Sequence, residues 1–391
     1  MKNKAVVLGA NYYIALSVMR NLGKQGIYVA ALEYSTDNAY GLKSKYCRET
    51  VIVPHYRNET EEFIEALIDY SKNQEFKPVL MPCADPYVEV IDAYSDRLRD
   101  YYLFPGMPQG RYKEIMDKDT LEILAKKHNV LVPETLSMTD EKLFEKVRKI
   151  GYPCLVKPTN SHNFVSIFRR KMFKVYDEKG LKEAIKKAKD KALEVIIQEI
   201  VPGFDDHMYT FDAYLNEASK VTHWLTCQKY RQYPINYGAS VYTEQKYIEA
   251  LPEIGIPFLE GIGYKGVGEI EFKKHEETGK FYLIEINVRY SNLNELLTQA
   301  GINMPYITYC ELTGNPLKEK SIDYDTGLVF RYTFEDLLAI KGYLTSNQLS
   351  IGDVINSLFK KKIHAIRSLD DIKPSINYLK IMSKKIVNRL K

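Results

Sequence analysis

Residues 284–289, IEINVR, alternate apolar and polar side chains, and this pattern constrains the fold more than any other in the chain. In a β-strand, residues two apart point to the same face, about 6.6–7 Å apart along the strand. Glu285, Asn287 and Arg289 therefore share one face, while the apolar residues between them share the other. A strand of this kind belongs in a sheet that packs one face against a core.

Three further runs before this strand alternate in the same way: MYTFDAYLN, KVTHWLTCQKY and GVGEIEFKK. Together they predict an antiparallel sheet with one solvated face. The third run carries Glu271 and is joined to Glu285 by the turn KKHEETGK, so we expect the two side chains on adjacent strands. Two carboxylates with the Asn287 amide are hard oxygen ligands of the kind that Mg²⁺ prefers. The alternative is a solvated face on which Glu pairs with Arg.

The first part of the chain has a different pattern, in which short apolar runs alternate with helical spacing. The runs AVVLGA, IYVAALE, TVIVP and PVLMPCAD predict about four strands of a parallel α/β domain over residues 1–112. Gly9 lies at the first strand-to-helix turn. Because no GxGxxG motif is present, Gly9 is a weak signal. It indicates either a structural turn or a phosphate site.

Residues 113–200 carry a lysine inside a buried strand, Lys157 in YPCLVKP. A phosphate would be a natural partner for its ammonium, and the alternative is a plain surface lysine at a strand end. The next segment, TNSHNFVSIFRRKMFKV, predicts a loop and a second strand, and therefore a hairpin.

A second feature of this region is the strand EVIIQEIVPG, which ends at Pro202 and Gly203. Its last residues, Gln198 and Glu199, would present backbone groups to a planar ring. Asp205 and Asp206 follow, where they could bond to ribose hydroxyls. Taken alone, the segment is also consistent with an exposed turn.

Charge and cysteine content narrow the class of protein. The five cysteines are far apart and form no CxxC pair, which favours a reducing, cytoplasmic compartment and argues against a zinc site or a disulfide framework. The net charge is +4, but Lys360 to Lys391 holds ten Lys or Arg and two Asp, so the rest of the chain carries −4. No face of that remainder resembles a nucleic-acid-binding surface.

The basic tail mixes apolar residues at helical spacing with many lysines. One interpretation is peripheral contact with anionic lipid at the inner face of a membrane. The other is a pair of solvated helices packed on the body of the protein.

The order Lys118 in MDK, Lys157 in LVKP, then QEIVPG, EIEF and IEINVR resembles the ATP-grasp superfamily, and ADPYVEVIDAYSDRL, KPTNS and VPGFDDHM are similar to its D-aspartate ligase-like branch. The resemblance implies an α/β and α+β fold. Its parts would be an N-terminal parallel α/β (pre-ATP-grasp) domain over 1–112, a small hairpin-containing lid over 113–200 and a central antiparallel-sheet catalytic subdomain over 201–320. A C-terminal strand and basic helical tail would follow over 321–391.

The resemblance also implies roles for single residues. Those expected to contact ATP are Lys118, Lys157, Ser161, Gln198, Glu199, Ile200, Val201, Asp205 and Asp206. Glu271, Glu285 and Asn287 would bind one or two Mg²⁺, with Mn²⁺ as a substitute, and Arg289 would stabilise the reacting acyl group. Arg231 is expected to clamp a substrate carboxylate, with Lys229, Tyr233 and Tyr237 nearby. His162, His207 and Cys227 are interpreted as structural.

The function implied is an ADP-forming carboxylate–amine ligase of the EC 6.3 type. It would activate a carboxylate, such as that of D-aspartate, as an acyl phosphate and join it to an amine, on a cell-wall or surface-polysaccharide precursor. Its partners would be small-molecule carboxylate and amine substrates and a second copy in a homodimer. The alternatives are a carboxylase, another enzyme that forms an acyl phosphate, and a non-catalytic ATP-binding protein. The segment after Lys157 lacks glycine, which argues against biotin carboxylase activity.

Overall fold

The fold is that of a computed structural model describing residues 2–159, 161–170 and 172–390, without the side chains of 161–163 and 385–390. The N-terminal part is a parallel sheet in the order β3-β2-β1-β4. Its strands are β1 (Ala5–Leu8), β2 (Val29–Glu33), β3 (Glu49–Ile52) and β4 (Val79–Pro82). Its helices are α1 (Tyr13–Gly23), α2 (Thr60–Lys72), α3 (Asp85–Ala93) and α4 (Ser95–Leu98). The predicted four-stranded α/β unit is confirmed.

The turn from β1 to α1 depends on Gly9, whose φ of +94° lies in the left-handed region that glycine adopts at little cost. The chain can therefore turn sharply enough to enter α1 at once. Glu33 at the end of β2 is buried beside this turn and accepts hydrogen bonds from Tyr87 and from its own neighbour Tyr34. The turn is thus held by the sheet.

Two short helices, α5 (Arg111–Met116) and α6 (Lys118–Lys127), lead to a second, four-stranded sheet in the order β5-β8-β6-β7. Its strands are β5 (Thr135–Ser137), β6 (Cys154–Pro158), β7 (Phe173–Val175) and β8 (Val195–Glu199). Its helices are α7 (Leu143–Ile150), α8 (Ser161–Phe168) and α9 (Glu178–Lys189). This sheet has its own apolar core.

The predicted hairpin in this region is correct in its pairing and wrong in its connection. β6 and β7 are antiparallel, with Cys154 opposite Val175. However, α8 fills most of the connection that was expected to be a loop. Phe164 and Phe168, four residues apart, place their rings against Phe173, with centroids 5.0 and 5.1 Å away. Phe164 and Phe168 are an i, i+4 pair on one face of α8, and their packing on Phe173 buries apolar surface that an open loop would leave exposed.

The large sheet has the order β13-β12-β9-β10-β11-β15-β16, with β14 paired to β10. Its strands are β9 (Met208–Leu215), β10 (Val221–Tyr233), β11 (Ala239–Gln245), β12 (Gly266–Lys274), β13 (Phe281–Asn287), β14 (Lys320–Ile322), β15 (Leu328–Arg331) and β16 (Lys361–His364). Its helices are α10 (Ala250–Gly261), α11 (Asn294–Ala300), α12 (Met304–Leu312), α13 (Thr333–Thr345), α14 (Ile351–Phe359) and α15 (Lys373–Leu390). The pairs among β9 to β13 are antiparallel, as predicted.

The expectation of one solvated face is wrong for the middle of this sheet, because β9 is buried along its whole length. One face packs in a core that includes Phe211 and Phe258 of α10. The other packs in a core that joins Tyr214 to α1, α11 and α12. Helices therefore cover both faces, and polar side chains between them lie in a dry environment.

The basic tail is bound to the body. Asp371 is 3% exposed and accepts a hydrogen bond from Arg20 Nε at 2.9 Å, from the Ser44 hydroxyl at 2.6 Å and from the Lys45 backbone at 2.9 Å. β16 continues the large sheet in parallel with β15. Among the described helices, none is both long and apolar enough to cross a lipid bilayer.

Candidate active site

The polar face predicted from the alternating strands is present, and its members stand in register. Glu271 of β12 lies opposite Glu285 of β13, and Glu269 lies opposite Asn287. Like charges directly opposite each other on neighbouring strands destabilise a sheet unless a cation lies between them. Positive charge near the Glu271–Glu285 pair would therefore stabilise this part of the sheet.

Lys229 of β10 supplies part of that charge. Its Nζ lies 2.6 Å from Glu271 Oε1, and the side chain is only 3% exposed. Burial alone would lower the pKa of Lys229, but the Glu271, Glu269 and Glu285 carboxylates outweigh it and raise the pKa. Lys229 therefore stays protonated as an ammonium within this face. Its contact with Glu271 explains its position, so a substrate carboxylate is not needed to explain it.

Two acids that the sequence interpretation did not single out, Asp212 of β9 and Glu269, belong to the same face. They are opposite each other and 1% and 4% exposed. Burial raises the pKa of Asp212 to about 7 and that of Glu269 to about 8. Glu269 was detectable, since it precedes Glu271 by two residues and must share its face. Asp212 is the one carboxylate residue in the run MYTFDAYL.

Arg289 connects this face to the N-terminal sheet. Its Nη2 donates to Asn287 Oδ1 at 3.1 Å, and its Nε lies 3.0 Å from Asp85 at the start of α3. The Asn287 amide nitrogen in turn lies 3.0 Å from Glu269 and 3.4 Å from Glu271. An ion pair thus joins Asp85 to Arg289, and hydrogen bonds through Asn287 join Arg289 to the glutamates.

The donor chemistry of the face fits a divalent cation. Glu271 and Glu285 carry hard oxygens directly across a strand pair, and Asn287 adds an amide oxygen. That amide oxygen faces Arg289 in this arrangement, so ligation through it requires the amide to turn over. Within the described residues, no three His, Cys, Asp or Glu side chains are already placed around a common metal position. The face is therefore partly neutralised by Lys229 and able to accept a metal after a local rearrangement.

The second group of predicted residues meets on the small sheet. Lys157 Nζ donates to Gln198 Oε1, and Gln198 Nε2 donates to Thr135 at 3.1 Å. Lys118, at the start of α6, donates to the Pro158 carbonyl at 3.2 Å, next to Lys157. Two ammonium groups thus approach the same strand end. The side chain of Ser161, which was expected to join them, lies outside the described residues.

The segment after β8 runs toward the large sheet. Glu199 pairs through its backbone with Glu134 at 2.9 Å, Ile200 is half-buried and Val201 is buried. The Pro202 carbonyl accepts from the Glu276 backbone at 3.2 Å, in the turn between β12 and β13. The predicted adenine segment therefore lies beside the strands that carry Glu271 and Glu285.

Of the two residues predicted to hold the ribose, Asp205 has other partners in this structure. Its carboxylate is 2% exposed, and it accepts from Gln232 Nε2 at 2.8 Å, from the Asn236 backbone at 2.7 Å and from the Tyr343 hydroxyl. These contacts join Asp205 to β10, to the loop that follows β10 and to α13. Asp206 is about half exposed and contacts His207 at 2.8 Å, so it remains accessible.

Arg231, predicted to clamp a substrate carboxylate, is also paired within the protein. Its Nε and Nη2 bind Asp336 at 2.6 and 3.1 Å, and the Tyr242 ring covers the guanidinium at 3.8 Å. Asp336 is fully buried and also accepts from Arg331 at 2.7 Å. The fork that would bind a carboxylate bidentately is occupied by the protein's own carboxylate.

Comparison with known proteins agrees with this arrangement of strands. Residues 119–308 match the family described as D-ala D-ala ligase C-terminus. A D-aspartate ligase of Enterococcus faecium (strain Aus0004) is 23% identical over 304 residues, which cover 73% of this chain and 72% of that protein.

Solved structures show the same fold. The biotin carboxylase domain of Hydrogenobacter thermophilus 2-oxoglutarate carboxylase, in complex with MgADP, ADP and bicarbonate, superimposes with a TM-score of 0.66 at 17% identity, over 84% of this chain and 74% of that one. The chain has an ATP-grasp fold. A further ATP-grasp neighbour, N5-carboxyaminoimidazole synthetase from Staphylococcus aureus, has a TM-score of 0.62 at 17% identity, over 83% of this chain and 81% of that one.

Proposed function

We propose that this chain is an ATP- and Mg²⁺-dependent ligase that activates a carboxylate as an acyl phosphate and joins it to an amine. The observation that carries the proposal is the registered pair Glu271 and Glu285, with Asn287 and Arg289 following on the same face. Like-charged side chains held in register are costly, which argues for a divalent cation there. The similarity to a D-aspartate ligase supports the reaction class.

In this proposal, Glu271, Glu285 and Asn287 hold the metal, which when bound neutralises phosphate charge. Lys118 and Lys157 contact the phosphates as point charges. The backbone from Glu199 to Val201 borders the adenine.

The first substrate's carboxylate takes the γ-phosphoryl group, which gives an acyl phosphate and ADP. The amine then attacks the acyl carbon, releasing phosphate and a proton. Arg289, fixed by Asp85, is placed to stabilise negative charge on the acyl group. Because water would hydrolyse the acyl phosphate, the small sheet is expected to close over the nucleotide.

The test is a screen of ADP release with D- and L-amino acids, alone and paired with amines that include cell-wall precursors, and separately with bicarbonate. We expect ADP only when a carboxylate substrate is present, and product only with an amine. Glu285→Gln should abolish Mg²⁺-dependent ADP release and weaken Mn²⁺ binding measured by electron paramagnetic resonance. The matched control is Glu277→Gln in the turn between the same strands. Bicarbonate-dependent turnover without an amine would instead identify a carboxylase.

We further propose that α14 places the enzyme at an anionic membrane surface. Its exposed apolar residues recur at helical spacing, Phe359 is 85% exposed, and Lys360, Lys361 and Lys362 follow directly. Such a stripe beside lysines suits the boundary between anionic headgroups and acyl chains. The stripe consists of Ile351, Ile355, Leu358 and Phe359.

Co-flotation of the full chain with phosphatidylserine-containing vesicles tests this surface. We expect binding that Ile351→Ser combined with Phe359→Ser removes and that Ile123→Ser, an exposed isoleucine on α6, does not. Equal flotation of both variants would overturn the lipid assignment. So would a homodimer, detected by light scattering, that buries the stripe. That second copy would then be the partner that the resemblance predicts.

A further inference from the structure

A cavity of about 360 Å³ opens between the β1–α1 turn, the segment that leaves β15 and the C-terminal helix α15. Its size lies near the lower end of the range for small-molecule sites. The lining residues are Asn11, Tyr12, Asn38, Tyr40, Tyr233, Tyr332, Phe334, Glu335, Leu338, Tyr378, Ile381 and Met382. Five separate segments of the chain thus meet around one space.

Aromatic rings form most of this wall, and several of them hold each other in place. The Tyr332 and Tyr378 hydroxyls are 2.9 Å apart, and the Tyr40 and Tyr378 rings meet edge to face at 5.4 Å. Behind them, Tyr13 packs on both Tyr12 and Tyr332, with centroids 4.3 and 4.8 Å away. A cavity built from interlocked rings keeps its shape before a ligand arrives.

Glu335 is the one acid in this wall, and the lining contains no Lys, Arg or His. Within the described residues, Glu335 has no hydrogen bond and no ion pair. Burial raises the pKa of its carboxyl group. A half-buried carboxylate without a cation, surrounded by π-faces, favours a ligand that brings its own positive charge.

One residue of the cavity wall, Tyr12, is influenced by the charge of Arg289 in the proposed reaction centre. Burial raises the pKa of Tyr12, the Glu335 carboxylate raises it further, and the Arg289 guanidinium lowers it. Tyr12 therefore lies within electrostatic reach of both charges. Glu335 and α15 lie outside residues 119–308, which match the family model.

We infer that this cavity binds an organic ammonium, with the charge at Glu335 and an apolar or aromatic body against the tyrosines. That this ligand is the amine acceptor of the ligase rests on the proposed function. In that case the acceptor carries an apolar group next to its amine, and it reaches the acyl group past Tyr12.

Calorimetric titration of the full chain without nucleotide tests the cavity, with 2-phenylethylamine as the probe and 2-phenylethanol as its uncharged match. We expect the amine to bind at least about tenfold more tightly than the alcohol. Glu335→Gln should remove that preference. Glu311→Gln, another half-buried glutamate away from the cavity, should leave it unchanged.

Equal affinity of the amine and the alcohol for the unchanged protein would overturn the inference without reference to any variant. So would an unchanged preference in Glu335→Gln. ADP release is measured separately on the same proteins. A Glu335-dependent preference for the amine in a protein that never releases ADP would sustain the cavity and overturn the ligase.

Discussion

Lys229 Nζ lies 2.6 Å from Glu271 Oε1, at a place where both side chains are shielded from solvent. This contact joins β10 to β12, which are not neighbours, across β9. The charge of Lys229 also favours the ionised forms of Asp212 and Glu269 and so lowers their pKa values against the effect of burial. It therefore sets the charge balance of the candidate metal face.

Replacing Lys229 with Met is expected to lower the free energy of unfolding by about 3–5 kcal/mol in metal-free buffer, because the buried acids lose their cation. Urea denaturation measures the loss. Mg²⁺ should recover part of it in the variant, since a metal ion can take over the charge. If Mg²⁺ stabilises the variant no more than it stabilises the unchanged protein, the face does not bind the metal.

The stability of the metal-free protein should fall as the pH rises from about 5.5 to 8.5, through the raised pKa values of Asp212 and Glu269. The folded state keeps protons that the unfolded state has lost, so higher pH favours unfolding. Glu269→Gln should reduce this fall by about 2 kcal/mol, at roughly 1.4 kcal/mol per pKa unit with allowance for coupling to Asp212. Equal pH slopes in the two proteins, measured with urea and a chelator, would show that Glu269 is ionised throughout.

Arg289→Ala should leave ATP binding nearly unchanged and lower turnover by about 10²–10³-fold, the usual effect of losing one donor to developing charge. Equilibrium binding of a fluorescent ATP analogue and ADP release separate the two effects. Arg289→Lys keeps the charge but not the planar fork, so it should recover only a small part of the rate. A variant that loses nucleotide binding instead would place Arg289 at the phosphates.

Arg231→Lys is expected to lower thermal stability while leaving the KM of both substrates unchanged, because its partner is Asp336. Asp336→Asn should cost more, about 3–5 kcal/mol, since the buried Arg231 and the partly buried Arg331 lose their shared carboxylate. A raised KM at unchanged stability in Arg231→Lys would restore the substrate-clamp interpretation.

Asp371→Asn should destabilise the protein by about 3–5 kcal/mol, because Arg20 would remain buried and unpaired. Asp370→Asn is the matched control, since that neighbouring carboxylate is 41% exposed and should cost under about 1 kcal/mol. Chemical denaturation compares the two. For the same reason, point substitutions on α14 test membrane contact more cleanly than removal of the tail.

The strands were predictable from the sequence because their patterns are local. The alternation of 284–289 and the apolar runs of the first domain each specify a strand within a few residues. α8 was missed because a short apolar run such as HNFVSIF fits a strand or a helix equally well. β16 was missed because its lysines do not give the apolar pattern of a strand. Its partner strand, Leu328–Arg331, also lies earlier in the chain, on the other side of α13 and α14.

The site was predictable where period two alone decides which residues share a face, as for Glu271, Glu285 and Asn287. It was not predictable where a distant partner decides. Arg231 pairs with Asp336, which lies 105 residues later, and Asp205 accepts a hydrogen bond from Tyr343, which lies 138 residues later. No sequence pattern near Arg231 or Asp205 indicates these partners. The division into four domains and the roles of the remaining ATP contacts stay predictions.

The Arg20–Asp371 pair has a consequence for synthesis. During translation, Arg20 emerges about 350 residues before the carboxylate that neutralises it. Until then, α1 has to keep this guanidinium in water or at another acid. The first domain therefore reaches its final packing only after the tail has been made, and a ribosome that stalls before residue 371 leaves a product marked by an unburied arginine.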